Sequence, residues 1–419
     1  MSVSGCNDFF YFDRLKLAIE SAMGLSRRFL SLVVDIRIPG AQSLCFVDLT
    51  RHKLFNSIPA LPLNINTSES EGPQETTLPA GNPKNGMRRI RLPAPGINLR
   101  SSAVGFDWYM DCFPLAGGNL LCTDQSGRAT LFNADTRSVE SMPYLHKPKS
   151  LPVSISVPWA DDNDGGVSVF IMERAPRLEQ GDARALSSQF EAFTYCRPST
   201  HSTKFWQHQL LPPPPFICNP KYYVDTSARP RIRSYAVLGG GSQVCMSVDR
   251  AGTYSLDTVT HTWTQIGDWI LPFVGKVEYV PELKLWFGIC AKDMQLGAAD
   301  LSTMDMDSQP QLVDTWKEFE APQEWTEVQP SQLVNLGSGR FCIARFFRTP
   351  SLMSLFDSDG LDEEYFTVLT GVDVVRCVRD GNGTANINDG NEKVELRMIK
   401  HNSRRHMSYG GDGTIKLVF

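Results

Sequence analysis

The chain has 419 residues, 42% of them apolar and 10% aromatic, with a net charge of −5 and a pI near 5.9. That is enough apolar material for a substantial core, and the acidic balance argues against a nucleic-acid surface over the whole protein. No apolar run reaches the ~18 residues of a membrane span, and ten scattered cysteines with no Cys-x-x-Cys pair suit neither a disulfide scaffold nor a zinc site.

Residues 1–27 read as a flank, a short helix or disorder. Leu15, Leu17, Ala18, Ala22 and Met23 give Asp13–Met23 a loose apolar face, with Asp13 as cap and Gly24 as stop. Asp8, Asp13 and Glu20 interrupt the apolar residues, so the stretch is not a secretory signal. Residues 28–419 then read as one β domain. Phe29–Val34 opens it, and Ser43–Asp48 with Lys53–Ile58 reads as a hairpin. Residues 63–87 hold few large apolar side chains and read as a mobile loop. Met87–Leu92 returns to strand, with Arg88, Arg89 and Arg91 on a solvated edge.

A second unit covers roughly residues 100–145. Gly117 and Gly118 precede strand Asn119–Thr123, the turn Asp124–Gly127, strand Arg128–Phe132 and an outer strand Arg137–Met142. The third unit takes 150–215, with an acidic tip at Asp161–Gly166 and a loop at 174–188. That tip lacks the ligand spacing of a calcium loop and reads as a solvated turn. Pro212–Pro215 reads as a stiff connector.

The fourth unit, Arg231–Gly267, is the clearest. Tyr235–Leu238, Ser242–Val248, Thr253–Asp257 and His261–Gly267 alternate with short polar turns, a meandering antiparallel sheet. Gly239–Gly241 lies between two strands rather than before a helix, so it reads as close backbone packing near a central axis, not as a phosphate cradle. Asp135 and Asp257 stand at matching turns 122 residues apart, two repeats of about sixty, and Asp48 and Asp300 look like weaker copies. An Asp there accepts hydrogen bonds from the turn's own amides, a structural task.

A fifth unit follows from Val274–Val280, Leu283–Ile289, Gln295–Asp300 and Gln311–Trp316, with a polar loop at 302–310. A sixth starts at Ser331–Leu336 and Arg340–Phe347, with further strands at Tyr365–Leu369, Val372–Cys377 and Val394–Lys400 and a mobile loop at 379–392. One such sheet cannot bury both faces, so copies must flank it. The chain therefore reads as all-β, a β-propeller of six blades of four-stranded antiparallel sheets. Ile415–Phe419 is expected to pair next to the first blade, so that strands from both termini close the ring.

The glycine pair Gly239–Gly240, with Tyr254 and Trp263, resembles the kelch repeat, and Gly117–Gly118 with Phe132 carries the pattern in part. Asp124–Arg128, Leu145–Ser150, Gln209–Pro215, Lys276–Gly288 and Leu336–Arg345 are similar to a family of uncharacterised kelch-like proteins expanded in grasses such as rice. The resemblance implies a fold and a plant lineage but no reaction. Residues 1–27 are too short for the F-box that some plant kelch proteins carry.

The motifs of nucleotide loops, nucleophile elbows and zinc hydrolases are absent from the sequence. The histidines, His201 and His208 among them, form no ligand pattern and read as surface or core residues. No catalytic, cofactor-binding or metal residue is assigned, and no cofactor is expected. The reading is a non-enzymatic, monomeric interaction scaffold in cytosol or nucleus, with a protein partner and neither nucleic acid nor membrane. Its contact surfaces would be the loops at 63–87, 174–188, 302–310 and 379–392. The alternatives are a ubiquitin-ligase substrate receptor without its own F-box, and an enzyme or small-ligand binder using the central mouth.

Overall fold

The structure, a computed structural model, describes residues 27–38, 40–56, 87–101, 110–115, 118–134, 136–158, 166–179, 186–197, 203–222, 229–350, 363–377, 395–408 and 413–419. The helix expected at Asp13–Met23 lies outside them. So do residues 63–86, Gly117, Asp135, the tip Asp161–Gly165, residues 180–185, His201 and the loop 379–392.

The described elements are strands and short 3-10 turns, in six consecutive four-stranded units. The first holds β1 (Phe29–Asp35), β2 (Ala41–Asp48) and β3 (Ile97–Arg100), the second β4 (Met110–Pro114), β5 (Leu120–Asp124), β6 (Ala129–Asn133) and β7 (Ser138–Ser141). The third holds β8 (Pro152–Pro158), β9 (Val167–Glu173), β10 (Ser187–Cys196) and β11 (Phe205–Leu211). The fourth holds β12 (Ile232–Leu238), β13 (Gln243–Val248), β14 (Gly252–Asp257) and β15 (Trp263–Gly267), the fifth β16 (Phe273–Val280), β17 (Leu285–Cys290), β18 (Leu296–Ala299) and β19 (Leu312–Trp316). The sixth holds β20 (Thr326–Gly337), β21 (Arg340–Pro350), β22 (Glu363–Cys377) and β23 (Glu395–Ser408). The first unit is completed by β24 (Ile415–Val418), which pairs antiparallel with β1 as expected, Leu32 opposite Val418.

Four expectations are corrected. Lys53–Phe55 is a turn, not a strand: Lys53 has φ +48°, and Leu54 and Phe55 plug the core. The strand beside β2 is β3, with Leu44 opposite Ile97. Met87–Leu92 makes only a single parallel bridge, Arg89 to Arg405, on the outer edge of β23. Tyr365–Leu369 and Val372–Cys377 are one strand, β22, running through Gly371, where a Cβ would stand 2.9 Å from the Leu54 carbonyl oxygen. Units four and five share one eight-stranded sheet, because β12 and β16 pair in parallel, Tyr235 opposite Lys276.

Middle strands are apolar on both faces: β5 is buried throughout and β13 at every position after Gln243, whereas the outer strands β7 and β19 are mostly exposed or half-buried. Both faces are covered because neighbouring units share hydrophobic clusters. Val33, Leu44 and Leu99 meet Leu120, Cys122 and Phe132 between units one and two. Phe113, Leu121 and Leu131 meet Val169, Ile171 and Phe193 between two and three. Phe170 and Phe190 meet Val244, Met246 and Tyr254 between three and four. Ala236 and Cys245 meet Phe273, Trp286 and Cys290 between four and five. Phe287, Ile289 and Leu296 meet Phe341, Ile343 and Val372 between five and six. The last cluster returns to the start: Val334, Cys342 and Phe346 of unit six pack on Leu30, Val47 and Ile415 of unit one.

The glycine turn of unit four makes the close approach expected of it. Gly239, Gly240 and Gly241 all have positive φ, and a Cβ on Gly241 would lie 2.6 Å from the Pro158 carbonyl oxygen of unit three. On its free edge β24 is met by side chains of β20. Gln332 Oε1 accepts from the Val418 amide at 2.7 Å, and Gln332 Nε2 donates to the Lys416 carbonyl at 3.1 Å.

Ile415 is fully buried where units six and one meet. Ile415→Ala is expected to lower unfolding free energy by about 2–5 kcal/mol, while Val259→Ala, at an 80% exposed tip, shifts it by less than about 0.5 kcal/mol. Denaturant titration of both variants measures the difference.

Candidate functional site

Charged side chains inside a β core must bring their partners with them. Unit three holds the most buried set. Glu191 of β10 bonds Lys149 Nζ and His208 Nε2, and it accepts the His146 and Lys147 amides at 2.7 and 3.2 Å. Lys149 and Glu191 are fully enclosed. Burial raises the Glu191 carboxyl, but its bonds to His208 and Lys149, the Lys149 charge and the His146 amide outweigh that, and the net direction is down. Burial pulls Lys149 down, against the pull of Glu191, and the four donors around Glu191 favour its ionised form. The cluster ties the 146–149 connector to the third strand of the next unit. Every oxygen of Glu191 is occupied, so the group has no free atom for a substrate.

Unit six holds two further sets. Arg345 Nε donates to Glu318 Oε1 at 2.6 Å and its Nη1 to Glu327 at 3.1 Å, while Nη2 donates to the Met294 carbonyl at 2.7 Å. Burial acts to lower Arg345, and the Glu318 bond and charge reverse it to a net rise. Asp373 stands between Arg340 Nε at 3.3 Å and His401 Nε2 at 3.1 Å. Arg405 lies 3.8 Å over the Phe366 ring and 5.2 Å from that of Trp325. These networks lie on the extended parts of β21–β23.

Two places are open. The parallel pairing of β12 with β16 sets Tyr235 beside Lys276, whose Nζ lies 2.9 Å from Glu278. Burial lowers Arg27, ahead of β1, and the charge of Glu278 acts against that without reversing it. On β4, burial pushes the Asp111 carboxyl up to about 7. The second place is the loop 302–310 between β18 and β19. Trp269 Nε1 donates to the Asp305 carbonyl at 3.0 Å and Gln309 Nε2 to the Ile270 carbonyl at 2.9 Å. Asp305 Oδ1 accepts the Asp307 amide at 3.0 Å, and that bond holds its carboxyl below the usual range. Met304 packs inward against the cluster between units four and five, and Met306 is 60% exposed.

The turn aspartates do what their spacing predicts. Asp48 Oδ1 accepts the amides of Thr50 and Arg51, Asp257 Oδ1 those of Val259 and Thr260, and Asp300 Oδ1 that of Ser302. The proline run ends in a 3-10 turn, Pro215–Cys218, and Trp263 Nε1 donates to the Pro212 carbonyl at 3.1 Å, which makes it a packed connector. Arg88 and Arg89 are exposed, as expected. His208 is where sequence reading fell short: its carboxylate partner lies 17 residues back on the adjacent strand, two positions from its register partner Phe193. Among the described residues no group of three or more His, Cys, Asp and Glu side chains could hold a metal ion. No helix among them is long and apolar enough to cross a membrane.

Glu191→Gln leaves Lys149 charged and enclosed without its bonded counter-charge, and is expected to cost about 3–5 kcal/mol of unfolding free energy. The native carboxyl is depressed, so its contribution is complete above the ordinary carboxylate range and is lost as pH falls through the depressed value. Unfolding midpoints measured from neutral pH down to about 3 should therefore fall more steeply for the native protein than for Glu191→Gln.

Among solved structures the chain is similar to the β-propeller domain of Cps50 (Swd1) from Myceliophteria thermophila, at 9% identity and a TM-score of 0.38 over 82% of this chain and 89% of that one. It is also similar to apo AztD from Citrobacter koseri, at 11% identity and a TM-score of 0.26 over 89% and 98% of the two chains. At these scores the likenesses bear on neither activity nor partner. No curated protein matches the chain. Residues 27–406, which take in the strands of all six units apart from the end of β23 and β24, match the family described as Protein of unknown function (DUF1668), and the chain belongs to that family.

Proposed function

We propose that the protein is a six-bladed, kelch-like propeller of the plant type that serves as a non-enzymatic protein-interaction scaffold. The cyclic series of shared clusters, from unit one to unit six and back, supports a closed ring. The observation that carries the binding reading is the loop 302–310. Its backbone is tied to the body by Trp269 and Gln309, yet it presents Met306, Asp305 and Asp307 to solvent. An ordered loop with an exposed apolar side chain between carboxylates suits a partner with a basic rim around an apolar pocket. The connections 49–96 and 378–394 also leave from the third strands β2 and β22, the same place in their units as 302–310 in its own.

The test is capture of partners from native tissue with the intact protein, Met306→Ala and Asp307→Lys. At least one captured protein should be lost at least tenfold in both variants and kept in Val259→Ala. An unchanged set in all variants would remove the loop from the reading.

The group of Arg27, Tyr235, Lys276 and Glu278 favours a second reading, a small-ligand site in the mouth. Two cations and a phenol beside one carboxylate suit a small anion. A thermal-shift series with phosphate, citrate and sulfate should then raise the midpoint for the native protein and not for Lys276→Met.

A further inference from the structure

Cys112 of β4 and Cys122 of β5 stand directly opposite each other, their sulfurs 3.8 Å apart. The kind of pairing follows from the end of the hairpin. The Leu115 amide donates to the Asn119 carbonyl at 2.9 Å, so that pair is hydrogen-bonded. Alternation then makes Pro114 with Leu120, and Cys112 with Cys122, pairs without mutual backbone bonds. Pro114, which has no amide hydrogen, sits where none is needed. In such pairs the Cα atoms lie ~4.5 Å apart and the side chains are at their closest, inside the ~4.4–6.8 Å range of disulfides. Rotation about the two Cα–Cβ bonds can bring the sulfurs together.

We infer that Cys112 and Cys122 form a modification site, a cross-strand dithiol that a two-electron oxidant such as a peroxide closes to a disulfide. Two S–H bonds break and one S–S bond forms. Two electrons and two protons pass to the oxidant; with hydrogen peroxide its O–O bond breaks to give two waters. The site also bears on how the units meet. The Cys112 thiol donates to Gln42 Oε1 at 3.3 Å, reaching from unit two to unit one, and Gln42 in turn donates to Asp35 at 3.3 Å. Both sulfurs belong to the cluster shared by these units. Oxidation consumes the thiol hydrogen and removes that link. Contact with Cys122 and burial push the Cys112 thiol well up. The attacking thiolate is therefore scarce at neutral pH, and closure speeds up as pH rises.

Trypsin leaves both cysteines in one peptide, residues 101–128, because no Lys or Arg lies between Arg100 and Arg128. The reduced full-length protein is treated in native buffer with diamide, which accepts the two electrons and two protons at its N=N bond. It is then unfolded, alkylated with iodoacetamide and digested. The peptide should lose two hydrogens, take up no alkyl group, and recover both thiols with dithiothreitol. The rate should rise about tenfold per pH unit between 7 and 9. In Cys122→Ser the same peptide should carry one alkyl group on Cys112. A native peptide alkylated at both cysteines while diamide is consumed elsewhere would overturn the inference. The native measurement does not depend on whether that variant folds.

Discussion

A sheet with apolar side chains on both faces is unstable alone, and every unit of this chain contains such a sheet. The middle strands carry the constraint most clearly. β5 and β13 have almost no exposed position, so each needs a neighbour on either side. A linear row of six units would leave two faces bare. The cluster of Leu30, Val47 and Ile415 with Val334, Cys342 and Phe346 removes them, by setting the last unit against the first. Burial of this kind is worth roughly 25 cal/mol per Å² of apolar surface, and no pair of units obtains it without the next. The position of each unit is therefore a property of the series rather than of its own sheet.

Polar groups are fitted into that apolar series under strict terms. Glu191 is admitted with four donors, Arg345 with two carboxylates and a carbonyl, and Asp373 with Arg340 and His401. Each of these sets lies toward an end of a unit, where a connector or an extended strand supplies the partners. The turn aspartates follow the same economy at smaller scale, closing their own loops. The tip of 302–310 and the side chain of Lys276 reach solvent instead, and there outside chemistry has room.

The strand pattern was legible wherever hydrophobic alternation was bounded by Gly and Asp turns. Unit four matches to within a few residues at every strand, and the pairing of Ile415–Val418 with β1 followed from the need to cover an open edge. Reading failed where an apolar run serves as a plug instead of a strand. Leu54 and Phe55 look like the second arm of a hairpin, but they are inserted between β1 and β22, and the true neighbour of β2 comes about forty residues later. Gly371 resembles a turn signal and is instead a place for Leu54 to approach. The charged sets were invisible for a similar reason. Lys149, Glu191 and His208 are brought together by register across three segments, and no spacing along the chain encodes that.

The pairing of Ser31 with Phe419, amide to carbonyl in both directions, sets a timetable for synthesis. Once β1 has left the ribosome, its partner emerges nearly 390 residues later. At ~5–20 residues per second that delay is roughly 20–80 s. Throughout it, one edge of the nascent first sheet has donors and acceptors with nothing to bind but water, a chaperone or another chain. The growing polypeptide is thus most vulnerable to misassembly at the edge of β1, and the arrival of β24 ends that exposure.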